Sequence, residues 1–180
     1  MLNNIIKIIF RIITKINKLQ FLSNKNITVG NKFKLGNHTT LMIHNTSKTE
    51  FGNFIDIRNG FNLVVGKNAQ LKLADNVIMN NNCSVNCLDN IFIDENTLIG
   101  EGVKFYDHNH KYNSIEVSHK EFSTAPIVIG KGCWLGANVV ILKGVTIGDN
   151  VIIGAGCVIH KDVPANSIIV NKQEQIIKAK

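Results

Sequence analysis

The fold is decided by residues 127–164, which read IVIGKGCWLGANVVILKGVTIGDNVIIGAGCVIHKDVP. Two columns of apolar residues run through this stretch, and each repeats every six residues. The first column consists of Ile129, Leu135, Ile141, Ile147, Ile153 and Ile159. The second column, four residues later each time, consists of Cys133, Val139, Val145, Val151, Cys157 and Val163. A helix repeats near 3.6 residues and an ordinary strand near 2, so neither element explains a period of six.

A period of six predicts an all-β fold, the hexapeptide parallel β-helix. Each hexapeptide supplies one short strand and one turn, and three of them close a triangular coil of about 18 residues. The repeated aliphatic residues then point inward and stack on their equivalents in adjacent coils. Gly130, Gly136, Gly148 and Gly154 follow the first column directly. Small residues, Asn and Asp are expected at the corners, because some corners require a positive φ.

Upstream of residue 127 the same period is present but interrupted. Its members are Val29, Leu35 and Leu41, then Val65, Leu71, Val77 and Cys83, then Ile93, Ile99 and Phe105. The step from Cys83 to Ile93 is ten residues, which predicts a register adjustment between them. Residues 43–59 are irregular, yet we expect the solenoid to continue through them. About 140 residues in coils of this length predict roughly eight coils.

Residues 106–126, YDHNHKYNSIEVSHKEFSTAP, break the pattern entirely. They contain three of the six histidines and lie between two regular stretches. We therefore expect this segment to leave a coil as an extruded loop. Loops held on a rigid scaffold are where binding and catalytic residues concentrate, so this loop is the first candidate for a functional site.

Residues 1–22 are predicted to form an amphipathic helix. Apolar residues follow the spacing of one helix face, and Lys7, Arg11, Lys15 and Lys18 lie mostly on the other. The intervening charges argue against a signal peptide and against a spanning helix. The favoured interpretation is packing on the domain or on a neighbouring subunit, and the alternative is a basic helix in peripheral contact with a membrane. The β-helix domain is predicted over residues 23–170 and a tail over residues 171–180.

Composition restricts the class of protein further. The chain has 180 residues, of which 44% are hydrophobic, so a single domain with a substantial core is expected and disorder is not. Its four cysteines are interpreted as reduced core residues of a cytosolic protein. The net charge of +7 is compatible with nucleic acid, an anionic membrane surface or an anionic cofactor. Nucleic acid is not the expected partner, because Lys and Arg are dispersed and no recognition motif is present.

Three features in this order resemble the left-handed β-helix acyltransferases of the hexapeptide family. They are an Asn-rich coil near residue 80, a loop with a D-H-N-H core at residues 107–110, and the WLGANVVI to IGAGCVIHKD block. The branch that the chain resembles comprises galactoside, maltose and capsule or O-antigen sugar O-acetyltransferases. The resemblance implies a left-handed coil, a homotrimer, and acetyl-CoA as co-substrate in a groove between neighbouring subunits. No metal is implied.

The resemblance also assigns catalytic roles. It places the general base, which removes the acceptor hydroxyl proton, on His110, with His108 as the alternative base. An imidazole has an ordinary pKa of about 6.5 and can accept that proton at neutral pH. Asp107 is expected to orient an imidazole. Asn80 matches an asparagine of the acceptor pocket, although asparagine ladders at corners explain its presence equally well.

Four further residues are matched to the cofactor. Trp134, the single tryptophan, is expected to flank the pantetheine and acceptor region rather than to cap a coil. Ala137 and Ala155 match positions whose backbone groups bind the pantetheine arm. Lys161 matches a basic residue placed for the CoA phosphates. A solvated surface charge is the plainer interpretation of this lysine.

The predicted function is acetyl-CoA-dependent O-acetylation of a sugar hydroxyl by direct transfer, in the biosynthesis of surface polysaccharide. The predicted location is cytoplasmic, and the N-terminal segment extends this to the inner face of the membrane. One alternative is N-acetylation of a nucleotide-linked aminosugar. A second is a zinc-dependent γ-class carbonic anhydrase-like protein, with His108, His110 and His119 as ligands. A third is a non-catalytic scaffold.

Overall fold

The computed structural model describes residues 23–172, which form strands and turns and contain no helix. The predicted helix of residues 1–22 and most of the tail, residues 173–180, lie outside the described residues. No helix within residues 23–172 has the length and apolar character needed to cross a membrane.

Nineteen of the strands form three parallel sheets that make up a β-helix. Sheet 1 contains, in order, β1 (Ile27–Val29), β4 (Lys48–Phe51), β7 (Gln70–Leu73), β10 (Asn90–Ile93), β15 (Ile127–Ile129) and β18 (Thr146–Ile147). Sheet 2 contains β2 (Lys34–Leu35), β5 (Asp56–Ile57), β8 (Ile78–Met79), β11 (Leu98–Ile99), β16 (Trp134–Leu135), β19 (Ile152–Ile153) and β21 (Ile168–Ile169). Sheet 3 contains β3 (Thr40–Ile43), β6 (Asn62–Val65), β9 (Ser84–Cys87), β12 (Lys104–Tyr106), β17 (Val140–Leu142) and β20 (Val158–Ile159).

The solenoid has about six coils rather than the eight expected. Sheets 1 and 3 each contain six strands, and sheet 2 contains seven. From Ile27 to its partner Thr49 is 22 residues, whereas from Ile129 to Ile147 is the expected 18. The early coils are longer because their strands in sheets 1 and 3 reach four residues. The longer strands also explain why the six-residue period is interrupted upstream. The solenoid continues through residues 43–59 as expected, with β4 and β5 in register.

Both six-residue columns form the core. Every member of each column is buried, with exposure from 0% to 6%. Phe61 and Phe105 fill the wider early coils and are almost fully buried. All four cysteines are free and buried, as predicted. Burial raises the pKa of the Cys83 thiol to about 11, which keeps the thiol neutral in the core.

The glycines of the repeat have a different role from the one expected. Positive φ occurs mainly at asparagines, including Asn82, Asn138 and Asn150, and at other glycines such as Gly132. The glycines that follow the first column are needed instead because adjacent coils approach closely. A Cβ atom on Gly136 would lie 2.6 Å from the backbone nitrogen of Ala155. Any side chain at this position would therefore push neighbouring coils apart.

The segment between β12 and β15 leaves the coil, as the loss of the repeat predicts. It is an antiparallel hairpin of β13 (His108–Tyr112) and β14 (Val117–Thr124) rather than an irregular loop. His108 pairs with Thr124 and His110 with Phe122, and the register shifts before Tyr112. Ala125 donates its backbone N–H to the Asp107 carbonyl at 2.9 Å, which closes the hairpin at its root.

Candidate functional site

Asp107 fixes the root of the hairpin to the preceding coil. Its side chain is fully buried, and its carboxylate accepts the backbone N–H groups of Leu88 (2.8 Å) and Asp89 (2.7 Å). These two residues are the whole connection between β9 and β10, whereas residues 66–69 connect β6 to β7 in the coil before. The carboxylate therefore satisfies donors of a shortened corner and holds the hairpin in place.

His108 is held directly against this carboxylate. Its Nδ1 lies 3.2 Å from Asp107 Oδ1, and its side chain is 16% exposed. Both Asp107 oxygens already accept backbone N–H groups, so Nδ1 carries the proton and Nε2 has the free lone pair. Asp107 therefore orients an imidazole, and the imidazole that it contacts is that of His108.

His110 is exposed and is oriented by a different acceptor. Its Nδ1 lies 2.8 Å from the backbone carbonyl oxygen of Ser118, on the other strand of the hairpin. A carbonyl oxygen can only accept, so Nδ1 donates and Nε2 is left unprotonated. An exposed Nε2 with a free lone pair is what a general base needs to take a proton from a substrate hydroxyl.

Phe122 joins the two histidines, and sequence reasoning did not identify it. Its ring centroid lies 4.6 Å from that of His110, its cross-strand partner, and 5.2 Å from that of His108. The two histidines are two residues apart on β13 and so share one face of the hairpin. A single aromatic residue in an otherwise polar strand was the available signal, but its pairing with His110 depends on the hairpin register.

A second group of predicted residues lies along another edge of the solenoid, where sheet 2 turns into sheet 3. We call it the Gly/Ala edge, formed by residues 80–82, 100–102, 136–138 and 154–156. Ala137 and Ala155 follow β16 and β19 and occupy the same place in successive coils. The close approach of Ala155 to Gly136 makes this edge thin and nearly free of side-chain bulk. An extended ligand can therefore approach the backbone here.

Asn80 lies on the same edge, two coils before Ala137. Its Oδ1 accepts a hydrogen bond from Arg58 Nη1 at 2.6 Å, and its Nδ2 donates to the Ile99 carbonyl oxygen at 3.3 Å. Both ends of the amide are thus engaged within the chain, which is the geometry of a corner ladder.

Trp134 points outward from sheet 2, next to the Gly/Ala edge, and is 50% exposed. It neither caps a coil nor enters the interior. It pairs with Leu98 and Ile152 in the neighbouring coils, and Leu98 is also exposed. The three side chains form a ridge of apolar surface along the outside of sheet 2.

Lys161 is exposed and follows β20, at the edge where sheet 3 turns into sheet 1. The hairpin leaves the solenoid from this same edge, which we call the hairpin edge. Sheet 3 separates it from the Gly/Ala edge by the length of strands such as β9, about 13 Å at 3.3 Å per residue. One chain therefore gathers Asp107, His108, His110 and Lys161 at one edge. Asn80, Trp134, Ala137 and Ala155 are gathered at the other.

Metal chemistry finds no support in this part of the chain. Among residues 23–172, no group of three or more His, Cys, Asp or Glu side chains is arranged to hold a metal ion. His108 and His110 are instead engaged by a carboxylate and a carbonyl oxygen.

Comparison with known proteins agrees with the repeat and the fold. The family model described as bacterial transferase hexapeptide (six repeats) matches residues 126–161. No curated protein sequence matches the chain significantly. The chain is a hexapeptide-repeat β-helix protein, and the solved structures similar to it include acetyltransferases with the same repeat.

One of these structures is a hexapeptide-repeat containing acetyltransferase from Vibrio cholerae O1 biovar eltor, complexed with acetyl coenzyme A. It is 26% identical, with a TM-score of 0.53, and the match covers 75% of this chain and 64% of that one. A galactoside acetyltransferase in complex with coenzyme A is 25% identical, with a TM-score of 0.55 and coverage of 86% and 66%. This chain thus spans about two thirds of the length of either protein.

An N-acyltransferase from Bacillus cereus, AntD, is similar in fold alone. Its D94N mutant, in complex with dTDP and coenzyme A, is 18% identical, with a TM-score of 0.61 and coverage of 87% and 82%. The same architecture therefore occurs in proteins that are described as O-acyl and as N-acyl transferases.

Proposed function

We propose that this protein is an acetyl-CoA-dependent O-acetyltransferase that acts on a sugar hydroxyl, in the biosynthesis of a surface polysaccharide. The observation that carries the proposal is the hydrogen bond from His110 Nδ1 to the Ser118 carbonyl oxygen, which leaves Nε2 exposed and unprotonated. The two similar acetyltransferases, with acetyl coenzyme A and coenzyme A bound, support the choice of acyl donor.

The residues at the Gly/Ala edge are compatible with a bound CoA. Ala137 and Ala155 expose backbone along a thin edge, and Trp134 offers an apolar face beside it. The amide-rich pantetheine arm would lie along this edge and hydrogen-bond to backbone groups. Lys161 would contact a phosphate at the other edge of the solenoid.

In the proposed reaction, His110 Nε2 accepts the proton of the acceptor hydroxyl while that oxygen attacks the thioester carbonyl. Acetyl-CoA, when bound, supplies the activated acetyl group. The imidazolium of His110 then returns the proton to the departing sulfur, so the enzyme ends in its starting form. His108 is the alternative base, since its Nε2 is also unprotonated, but its ring is much less accessible. The four buried cysteines are not part of the proposed step.

The division of the predicted residues between two edges supports a homotrimer. A subunit whose hairpin reached the Gly/Ala edge of its neighbour would bring the two groups together. Ile115, at the hairpin tip, is 92% exposed, and Trp134 lies on the apolar ridge beside the Gly/Ala edge. Light scattering should give three times the chain mass of 20.0 kDa.

Isothermal titration with acetyl-CoA, with CoA as the comparison, tests the proposal without any assumption about the acceptor. Micromolar affinity is expected, equivalent to about −8 kcal/mol. A folded protein that bound neither ligand would contradict the assignment. Release of the CoA thiol in the presence of neutral sugars, and separately of nucleotide-linked aminosugars, then distinguishes O-acetylation from N-acetylation.

A further inference from the structure

The positive charge of this protein is concentrated at the start of the chain. Residues 1–49 contain eight Lys and Arg and no Asp or Glu, whereas the rest of the chain contains 12 basic and 13 acidic residues. The eight residues are Lys7, Arg11, Lys15, Lys18, Lys25, Lys32, Lys34 and Lys48. Basic residues occur throughout the sequence, but the net charge of +7 comes entirely from this segment.

The fold places this segment at one end of the solenoid. β1, β2 and β3 are terminal strands of their sheets, so residues 27–43 form the terminal coil. Lys25, Lys32 and Lys34 are exposed at this end. Cationic groups there lie beside apolar side chains, because Lys32 Nζ is 4.8 Å from the ring centroid of Phe54. Phe54 is 49% exposed and Met42 is 63% exposed.

Residues 1–22 precede the terminal coil and have the same chemistry in their sequence. Four cations are interspersed with apolar residues, which include Ile5, Ile9 and Ile12, and acidic residues are absent. Cations together with apolar side chains match an anionic lipid surface, which offers both negative headgroups and hydrocarbon. A nucleic acid would match only the cations and would leave the apolar side chains in water.

We propose that the N-terminal end of this protein, residues 1–22 together with the terminal coil, binds an anionic phospholipid membrane. Apolar side chains of residues 1–22 enter the boundary between headgroups and acyl chains, and the lysines of the terminal coil face the headgroups. The bound state requires both the charge and the apolar side chains. It does not depend on the reaction proposed above.

Vesicle co-sedimentation of the full chain tests this proposal. The protein should bind vesicles of phosphatidylcholine mixed with phosphatidylglycerol and should not bind vesicles of phosphatidylcholine alone. Raising the ionic strength from roughly 0.05 M to roughly 0.5 M should weaken binding, because exposed charges are screened. Equal binding to both vesicle types, or binding to neither, would overturn the proposal.

Charge-reversal variants show where the interaction lies. Lys7→Glu/Arg11→Glu/Lys15→Glu should lower vesicle partitioning by more than about tenfold, since each cation near the surface contributes a factor of roughly five. Lys25→Glu/Lys32→Glu should lower partitioning by about tenfold or more for the same reason. The matched control, Lys131→Glu/Lys143→Glu/Lys172→Glu, changes the same total charge elsewhere and should bind normally. A control that lost binding equally would show only the effect of net charge.

An apolar variant separates membrane binding from other interpretations. Ile5→Ser/Ile9→Ser/Ile12→Ser keeps every charge and should reduce vesicle partitioning by about tenfold or more. Unchanged vesicle binding, with equal binding to duplex DNA, would indicate a polyanion site and overturn the proposal. Unchanged vesicle binding with a lowered melting temperature would mean that these side chains pack on the protein itself. Met42→Ser/Phe54→Ser provides a second apolar test, with circular dichroism to confirm the fold.

Discussion

The two hairpin histidines differ in exposure more than in hydrogen bonding. Each donates from Nδ1, His108 to a buried carboxylate and His110 to a backbone carbonyl, so each keeps Nε2 unprotonated. His108 is packed between Phe122 and Tyr106 with ring centroids 5.2 Å and 6.3 Å away. Access to a substrate therefore favours His110 as the base, and His108 is better placed to support the hairpin.

Replacing His110 should abolish turnover without loss of cofactor affinity. His110→Gln removes the proton acceptor, and kcat should fall by about 10²–10⁴-fold, the usual contribution of a general base. The dissociation constant of acetyl-CoA should be unchanged, because the residues proposed to hold it lie elsewhere. His119→Gln, in the same hairpin, is the matched control and should keep full activity. A larger loss for His108→Gln than for His110→Gln would assign the base to His108.

The cysteines should be unreactive in the folded protein. Burial raises the pKa of Cys83 to about 11, and it also raises the pKa of Cys87 and Cys133. At pH 8 only about one thousandth of the Cys83 side chains would be thiolate, the reactive form. An aromatic disulfide reagent should therefore label the urea-unfolded chain rapidly and the native protein hardly at all. Rapid labelling of the native protein would contradict this arrangement.

At the scale of the element, the hairpin is attached through a single carboxylate that belongs to neither of its strands. Asp107 lies between β12 and β13 and caps the two-residue corner of the preceding coil. Shortening that corner left two backbone N–H groups in need of an acceptor, and the segment that leaves the coil supplies one. The hairpin is thus part of the stacking and not an appendage to it.

Asp107→Asn should destabilise the fold. An amide offers one oxygen, and its NH₂ group would face a backbone N–H or the His108 imidazole N–H, so a buried donor loses its acceptor. The expected cost is about 1–3 kcal/mol in the free energy of unfolding, measured by urea denaturation. Asp89→Asn makes the same chemical change at the same corner, on a side chain that accepts only from Asn90 Nδ2. It should change stability by less than about 0.5 kcal/mol.

Two glycines at the edge between sheets 1 and 2 should respond oppositely to substitution. A Cβ on Gly148 would lie 2.5 Å from the Ala165 nitrogen, so Gly148→Ala should cost about 1–3 kcal/mol or more through overpacking. Gly132 has φ +66°, and a Cβ there would meet nothing within 4 Å. Gly132→Asn should be within about 0.5 kcal/mol of wild type, since asparagine tolerates this conformation. Thermal unfolding of both variants tests which glycines the stacking requires.

The sequence predicted the regular part of the fold better than the site. From Ile129 onward the period is unbroken, and the coils have the predicted 18 residues. Upstream, four-residue strands place inward residues at spacings of two as well as six, so the coil length could not be read from the period. The hairpin was predicted as a loop because its strands are polar on both faces. The partner of His110 is a main-chain carbonyl, which leaves no trace in side-chain pattern.

At the scale of the whole molecule, each coil contacts only its neighbours, and the two ends differ. The N-terminal end contains the wider coils and all of the net positive charge, whereas the hairpin and the proposed cofactor edges lie further along the axis. Partly buried side chains such as Phe33 and Leu41 mark the terminal coil, while the central coils are fully buried. Stability in such a stack is the sum of coils and of the interfaces between them.

Coil length in this molecule changes only in even steps. Successive partners in sheet 1 are 22, 22, 20, 36 and 18 residues apart, from Ile27 through Thr49, Leu71, Ile91 and Ile127 and then from Ile129 to Ile147. One extra residue in a strand would turn the following side chains to the opposite face, whereas two would restore them. Over evolutionary time, a single inserted codon in a strand would be eliminated, whereas a paired insertion could be inherited. The hairpin fits this rule as an even-numbered insertion in one coil.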